Sequence, residues 1–250
     1  MTALPITTVV FDADETLVDL TPAVSGALAA VLAEMRRLSP TAAALTVDDL
    51  AQDWPPVFAA MRAAPTPDIR RAALARSLAR VGLEAELDRM AEVFFTRRFA
   101  LSRPFADALP ALAALRPTYT IGFATNGNSR AERCGLAGEF AFELYAHEGG
   151  LPKKPAAEFF AAVVGAAGCT PAAVVHVGDS WEHDVHAAQA AGLRAVWLNR
   201  TGAPRPAGPP PDGEVRSLAE LPEVIAELAA PARHGVTAAN PAREEPAAPM

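Results

Sequence analysis

The 250-residue chain has only two cysteines, Cys134 and Cys169. They lie far apart and form neither a CxxC pair nor any other spacing typical of a metal site. Two thiols in a chain of this length indicate a reduced, intracellular protein rather than a disulfide-stabilised one.

The chain also lacks a long apolar run. Residues 1–5 contain no basic side chain, and Asp12 and Asp14 interrupt the apolar segment that follows. No stretch approaches the roughly 20 apolar residues that a membrane helix needs. We therefore expect neither a signal peptide nor a membrane partner, and we expect a soluble cytoplasmic protein.

Basic residues are in the minority: the formal net charge is −7, and lysines and arginines form no long run. Nucleic-acid backbones select clustered Lys and Arg, so a nucleic-acid polymer is not an expected partner. A single phosphate held in a pocket needs no such excess. Aromatic residues are only 6% of a chain that is 51% hydrophobic, which predicts a core of closely packed helices rather than of aromatic rings.

Four short apolar segments have the character of buried parallel strands: 8–11, 119–124, 173–177 and 194–198. Helical patterns accompany them at 106–115, 156–167 and 184–191, and a last one covers 221–228. This alternation predicts an α/β fold with a doubly wound, Rossmann-like parallel sheet. In such sheets, ligands bind beyond the carboxyl ends of the strands.

Residues 18–99 interrupt the alternation with helical patterns only, the clearest at 23–38, 72–81 and 87–99, separated by proline-containing segments. An all-helical block inserted after the first strand is expected to be a cap over the strand ends. We therefore predict a core of residues 1–17 and 100–230 and a helical cap of residues 18–99. Residues 231–250, rich in Ala, Pro and charge, are predicted to be a disordered tail.

Polar residues follow the ends of three predicted strands. They are Asp12 and Asp14, Thr125 and Asn126, and Asp179 and Asp184. A single cation, Lys154, precedes a helical pattern instead. The carboxyl ends of parallel strands meet at one edge of a sheet, so we expect these groups in one crevice. This set suits a magnesium ion and a phosphate that is attacked by a carboxylate.

The two carboxylates after the first strand suggest a division of catalytic work. Asp12 is the predicted nucleophile, because a carboxylate that attacks phosphorus divides one difficult hydrolysis into two easier steps. Asp14 is the predicted general acid to the leaving oxygen and then general base to water. For Asp12 alone, a role in ending the strand or capping a helix is the alternative. Thr125 and nearby main-chain amides could bind phosphate oxygens, and Lys154 could neutralise both anions.

Hard oxygen ligands suit Mg²⁺, which takes few protein carboxylates. We predict Asp12, the main-chain carbonyl of Asp14, and Asp179 as its ligands. Asp184 is predicted to orient Lys154 or a metal-bound water, with a helix N-cap as the alternative.

Several further residues receive an interpretation. Glu15 is assigned to turn chemistry, Lys153 to a solvated loop, and His183 and His186 to a helix surface. Trp54, Trp181 and Trp197 are interpreted as packing residues, and Trp181 is the one of the three expected to come nearest a substrate. In the cap, the positions expected to touch a substrate are Trp54, Phe58 and Arg62.

The four motifs, in this order, resemble the haloacid dehalogenase (HAD) superfamily, and specifically its phosphatase branch with a helical cap. They are Asp-x-Asp-x-Thr at 12–16, Thr125-Asn126, Lys154-Pro155, and Gly178-Asp179 followed by Asp184. The resemblance implies that Thr125 supplies the second motif's hydroxyl and Asn126 a backbone amide to the phosphate. It also selects Lys154 over Lys153. Dehalogenase relatives lack the second carboxylate, which phosphatases and mutases keep.

The resemblance implies a Mg²⁺-dependent phosphatase that hydrolyses a small phosphomonoester through an aspartyl-phosphate intermediate. The strings at 11–17, 125–127 and 197–199 are similar to a subgroup of small nucleotidases, which makes a nucleoside monophosphate one candidate substrate. A phosphomutase acting on a sugar phosphate and a non-catalytic phosphate-binding regulatory protein remain alternatives. The expected partner is a small-molecule phosphate, and the expected state is a monomer or homodimer.

Overall fold

A computed structural model describes residues 5–230 of the chain. The predicted disordered tail, residues 231–250, lies outside the described residues. Within residues 5–230, no helix has both the length and the apolar character needed to cross a membrane.

Six parallel strands form one sheet. In chain order they are β1 (Thr8–Phe11), β2 (Thr120–Thr125), β3 (Phe142–Tyr145), β4 (Val174–Gly178), β5 (Arg194–Leu198) and β6 (Gly213–Val215). Their order across the sheet is β3-β2-β1-β4-β5-β6. In the central register, Phe11 lies opposite both Phe123 and Val177. The residues that follow β1, β2 and β4 therefore emerge at one edge of the sheet.

Helices cover both faces of this sheet. They are α6 (Ala108–Leu115), α7 (Ala157–Ala167), α8 (Ala187–Ala190) and α9 (Leu221–Ala229). Because successive strand residues point to opposite faces, Val9 and Phe11 pack with α6 and α9, whereas Val10 packs with α7 and α8. The predicted fold class, a doubly wound parallel sheet, is confirmed.

Between β1 and β2 the chain is helical. The helices are α1 (Leu20–Leu38), α2 (Val47–Ala51), α3 (Trp54–Ala60), α4 (Thr66–Ala79) and α5 (Leu87–Leu101). Side chains of α1, α2, α4 and α5 form a hydrophobic cluster of their own that includes Leu28, Leu74 and Phe94. An inserted helical cap is consistent with this arrangement. The exact division at residues 17/18 and 99/100 stays a prediction.

Several elements differ from the sequence expectation. Strands β3 and β6 were not predicted, because β3 is only partly buried and β6 has three residues at the sheet edge. Helices α2 and α3 were missed, and α4 begins at Thr66 rather than at 72. The prolines interpreted as separators lie in the first turns of α3 and α4, where proline is tolerated because those N–H groups have no helical partner.

The packing of α6 on the sheet gives a matched test of the core. Leu112 is fully buried, whereas Leu109 on the same helix is 40% exposed. We expect Leu112→Ala to lower the free energy of unfolding by about 2–5 kcal/mol, because it leaves a cavity. Leu109→Ala should change it by less than about 0.5 kcal/mol. Urea titration of both variants measures the difference, and equal losses would contradict the packing described.

Candidate active site

The ammonium of Lys154 lies at the centre of the site. The residue is 2% exposed. Its Nζ donates to Asp12 Oδ1 at 2.7 Å, to Asp184 Oδ1 at 2.6 Å and to the carbonyl of Ala124 at 3.2 Å. Burial opposes the charged form, but Asp12 and Asp184 outweigh it and raise the pKa of Lys154 above its usual value. Lys154 is therefore a fixed, fully hydrogen-bonded cation.

Asp184 is fully engaged by protein donors. Its Oδ1 accepts from Lys154 and from His176 Nε2 at 3.0 Å, and its Oδ2 accepts from the amide of Ser180 at 3.0 Å. Burial acts to raise the pKa of Asp184, but Lys154 and His176 hold it below its usual value. The N-cap alternative for Asp184 is wrong: a π-helical turn, Trp181–His186, begins before it, and Ser180 is the N-cap.

Asp12, Asp179 and Asp184 come close together, with one carboxylate oxygen of each within 4.8 Å of the others. Burial raises the pKa of Asp12 well above its usual value despite Lys154, and Asp184 and Asp179 raise it further. Burial and Asp184 likewise raise the pKa of Asp179 to about 7, against the opposing effect of Lys154. Three carboxylates thus face one ammonium, and the site favours additional positive charge.

The donor set fits a hard divalent cation. Asp12 uses Oδ1 for Lys154. In the described part of the chain, the Asp179 carboxylate accepts a hydrogen bond only from the Thr16 hydroxyl, at 3.5 Å. Within residues 5–230, the main-chain carbonyl of Asp14 accepts no main-chain hydrogen bond. These three groups keep oxygen lone pairs for a metal such as Mg²⁺, whereas both oxygens of Asp184 are occupied. The fit agrees with the ligand set expected from the sequence.

Asp14 lies over the loop after β2. It accepts a hydrogen bond from the Ser129 hydroxyl, which itself accepts one from Arg98, and Arg98 Nη2 is 3.5 Å from Asp14 Oδ1. Arg98 belongs to α5 and is 3% exposed. A Cβ added at Gly127 would overlap Asp14 Oδ2, so glycine is required there for this approach.

The loop after β2 also holds Lys154 in place. The Asn126 side chain donates to the Lys154 carbonyl at 2.8 Å and accepts from the Lys154 amide at 2.7 Å. Thr125 Oγ1 accepts from the Gly127 amide at 2.9 Å, and the Thr66 hydroxyl of α4 donates to the Asn126 carbonyl at 3.1 Å. The sequence suggested an Asn126 backbone amide for phosphate but not this side-chain clamp on Lys154.

One cavity of about 1270 Å³ unites the site with the helical block above it. All seven predicted side chains line it: Asp12, Asp14, Thr125, Asn126, Lys154, Asp179 and Asp184. The expected cap positions line it as well, namely Trp54, Phe58 and Arg62.

Other expectations about the cavity were wrong. Trp181 does not line it, so Trp181 is not the tryptophan nearest a substrate. The packing interpretation is confirmed, because the Trp181 ring lies edge-on against Trp197, with centroids 5.2 Å apart, in the first turn of the π-helical segment. Lys153 is half-buried and lines the cavity, and burial lowers its pKa, so it is not a solvated loop lysine. His183 also lines the cavity, whereas His186 is exposed as expected.

Glu15 fulfils the turn role assigned to it. Its φ of 63° lies in the left-handed region. Its Oε1 accepts from the amide and hydroxyl of Thr21, at 2.9 and 2.8 Å, near the start of α1.

Among the contacts missed from the sequence, His176 had a detectable signal, since it is a polar residue within the apolar strand β4. Arg98 and Ser129 had none.

The buried pair between Lys154 and Asp184 predicts a large stability effect. Asp184→Asn keeps the size of the side chain but removes the charge that Lys154 and His176 contact. We expect a loss of about 3–5 kcal/mol in the free energy of unfolding, as for other broken buried pairs. Chemical denaturation measures it.

The matched control is Asp88→Asn. Asp88 pairs with Arg71, but its side chain is 91% exposed, and exposed pairs contribute little. The control should unfold like the wild type. An Asp184→Asn variant as stable as the control would contradict the central position given to this ion pair.

Comparisons with known proteins agree with the motifs. The family model for haloacid dehalogenase-like hydrolases matches residues 6–192. The chain is 32% identical over 148 residues to the pyrimidine 5'-nucleotidase YjjG of Escherichia coli, a match that covers 57% of this chain and 66% of that protein. It is 35% identical over 139 residues to the phosphoserine phosphatase of Thermus thermophilus, covering 53% and 55% respectively. The chain thus spans less than two thirds of either relative.

Solved structures extend the likeness over most of the described fold. A 2-haloacid dehalogenase from Pseudomonas syringae pv. tomato superposes with a TM-score of 0.73 at 34% identity, covering 89% of this chain and 99% of that one. The HAD-hydrolase YfnB of Bacillus subtilis superposes with a TM-score of 0.72 at 20% identity, with the same coverages, and supports the fold alone.

Proposed function

Because this chain belongs to the haloacid dehalogenase-like hydrolases, we propose that it is a magnesium-dependent phosphatase. It hydrolyses a small phosphomonoester through an aspartyl-phosphate intermediate. The observation that carries the proposal is the second carboxylate, Asp14, which lines the same cavity as Asp12, Asp179 and Lys154.

In the first step, an Asp12 carboxylate oxygen attacks the phosphorus of the substrate. The bond between phosphorus and the leaving oxygen breaks, and Asp14 gives that oxygen a proton. In the second step, Asp14 takes a proton from water, the water oxygen bonds to phosphorus, and the bond between Asp12 and phosphorus breaks. Arg98 and Ser129 hold the Asp14 carboxyl in place through both steps.

Lys154 and the loop after β2 reduce the electrostatic cost of bringing two anions together. The Lys154 ammonium, held by Asp184, neutralises Asp12 and a phosphate oxygen. Thr125, and the Asn126 backbone amide, are the proposed phosphate donors. Bound Mg²⁺, held by Asp12, Asp179 and the Asp14 carbonyl, would supply charge stabilisation to the phosphate.

Haloacid dehalogenation is the second candidate, because the Pseudomonas syringae structure carries that name at 34% identity. A dehalogenase needs a nucleophile but no acid for a halide leaving group, so Asp14 and its Ser129–Arg98 support have no task in that reaction. We therefore rank phosphatase activity first.

A phosphomutase is the other enzymatic alternative. If a sugar phosphate gave an isomerised sugar phosphate instead of free phosphate, that product would indicate a mutase.

Two kinds of small phosphomonoester are candidate substrates. A nucleoside monophosphate is one candidate, supported by the name of the YjjG relative, and a phosphorylated amino acid is another, supported by the phosphoserine phosphatase. Each of these two relatives matches this chain over only part of its own length.

Asp12→Asn tests the nucleophile. The amide cannot attack phosphorus, so release of phosphate from p-nitrophenyl phosphate should fall at least about 1000-fold. Wild-type activity should require Mg²⁺ and vanish with EDTA. As control, Asp19→Asn, a nearby carboxylate that does not line the cavity, should retain activity. Release of chloride from 2-chloropropionate by a wild type inert toward phosphates would favour dehalogenation.

Asp14→Asn tests the general acid. Loss of proton donation should lower kcat for an alkyl phosphate roughly 100- to 10,000-fold. With p-nitrophenyl phosphate, the rate of the step that releases p-nitrophenolate should fall much less, because that leaving group needs no proton. Burst kinetics separate this step from hydrolysis of the intermediate. Equal losses with both leaving groups would remove Asp14 from the role of acid.

A further inference from the structure

Arg70 is the buried cationic group of the cavity that the proposed chemistry does not use; Arg62 and Lys153 also line the cavity, but they are exposed and half-buried. It lies on α4, is 8% exposed and lines the cavity. Its guanidinium carbon is 4.1 Å from the centre of the Trp54 ring and 4.8 Å from that of Phe94. Contact with aromatic rings occupies the faces of a guanidinium and leaves its N–H edge for a planar anion.

Arg70 has no counter-charge of its own. Throughout residues 5–230, its side chain forms no ion pair, whereas Lys154 is bound to Asp12 and Asp184, and Arg98 lies beside Asp14. Burial, and then the like charge of Arg98, lower the pKa of Arg70 to about 10. A buried charge without a partner is unfavourable. Among the described residues, the cavity therefore holds one buried positive charge of the helical block that has no counter-charge.

We infer that Arg70 binds a carboxylate of the substrate, which makes the substrate a phosphorylated carboxylic acid. The inference rests on the proposed function, since it places the phosphate of the same molecule at Asp12 and Lys154. A single uncompensated guanidinium matches a singly charged carboxylate in charge and in bidentate geometry. The apolar side chains of Val24, Leu28 and Phe58 also line the cavity and suit the connecting carbon skeleton.

This assignment separates the candidate substrates. An uncharged nucleobase would leave the charge of Arg70 uncompensated, so a nucleoside monophosphate is a poor match. A second phosphate carries more charge than Arg70 alone offsets, because the charge of Arg98 is already shared with Asp14. A carboxylate neutralises the single positive charge of Arg70 and adds no further negative charge.

The first test needs no mutation and no turnover. Calorimetry with wild-type protein and Mg²⁺ compares phosphonates that cannot be hydrolysed, in pairs that differ only by a carboxylate or a methyl group. The pairs are phosphonoacetate with ethylphosphonate, 3-phosphonopropionate with propylphosphonate, and 4-phosphonobutyrate with butylphosphonate. In at least one pair the acid should bind at least about tenfold more tightly, as expected for a charge-assisted bidentate contact. Equal affinities in all pairs, or no binding of any acid, would overturn the inference.

The second test assigns the preference to Arg70. Arg70→Gln should abolish the preference for the acid and leave the affinity for the methyl partner within about twofold. Arg70→Lys keeps the charge but loses the planar fork, and should give an intermediate preference. Arg71→Gln is the matched control: Arg71 is the next residue of α4, pairs with Asp88 and does not line the cavity. If the glutamine variant fails to fold, the lysine variant decides. A wild-type preference in Arg70→Lys or in folded Arg70→Gln overturns the assignment.

Kinetics distinguish this inference from the proposed function. With 3-phosphoglycerate and glycerol 1-phosphate, the wild type should favour the acid in kcat/KM at least about tenfold, mainly through KM. Hydrolysis of both at equal efficiency would overturn the carboxylate inference while the phosphatase proposal stands. A carboxylate preference in phosphonate binding without hydrolysis of any phosphate would support the Arg70 assignment and overturn the phosphatase proposal.

Discussion

The buried ammonium of Lys154 is the interaction on which the rest of the site depends. It joins three segments that are distant along the chain: the residue after β1, the loop before α7, and the turn after β4. Asp12 and Asp184 are 2.7 and 2.6 Å from its Nζ. Without this cation, the carboxylates that the sheet brings to one edge would repel each other in a poorly solvated place. With it, they still carry excess negative charge, which suits a divalent cation.

The supports of this cation show how the fold produces the geometry. Parallel register places the ends of β1, β2 and β4 at one level. The Asn126 side chain then fixes the main chain of Lys154, while His176 and the Ser180 amide fix Asp184. A Cβ at Gly178 would overlap the Asp184 carboxyl, so the close approach depends on glycine at the end of β4.

The sequence predicted the sheet, and it predicted which polar side chains would meet at one edge of it, because both depend on local patterns. Short apolar runs identify buried strands, and strand ends must meet in a parallel sheet. Contacts between segments that are distant along the chain were harder to predict. Trp181 was wrongly taken as the tryptophan nearest a substrate, because the start of its helix could not be located. Lys153 was left in solvent because nothing local shows what covers a loop. Arg98, Ser129 and Arg70 gave no signal, since only tertiary packing brings them to the cavity.

Arg98 links two parts of the molecule that pack around separate cores. It comes from α5, whereas Ser129 and Asp14 come from loops at the sheet edge. A rigid rotation of the helical block away from the sheet would withdraw the guanidinium and leave the Asp14 carboxyl with the Ser129 hydroxyl and water. Opening the cavity for exchange of small molecules would then also remove the contact between Arg98 and the Asp14 carboxyl. In such a molecule, one motion would change both access to the cavity and the position of the Asp14 carboxyl.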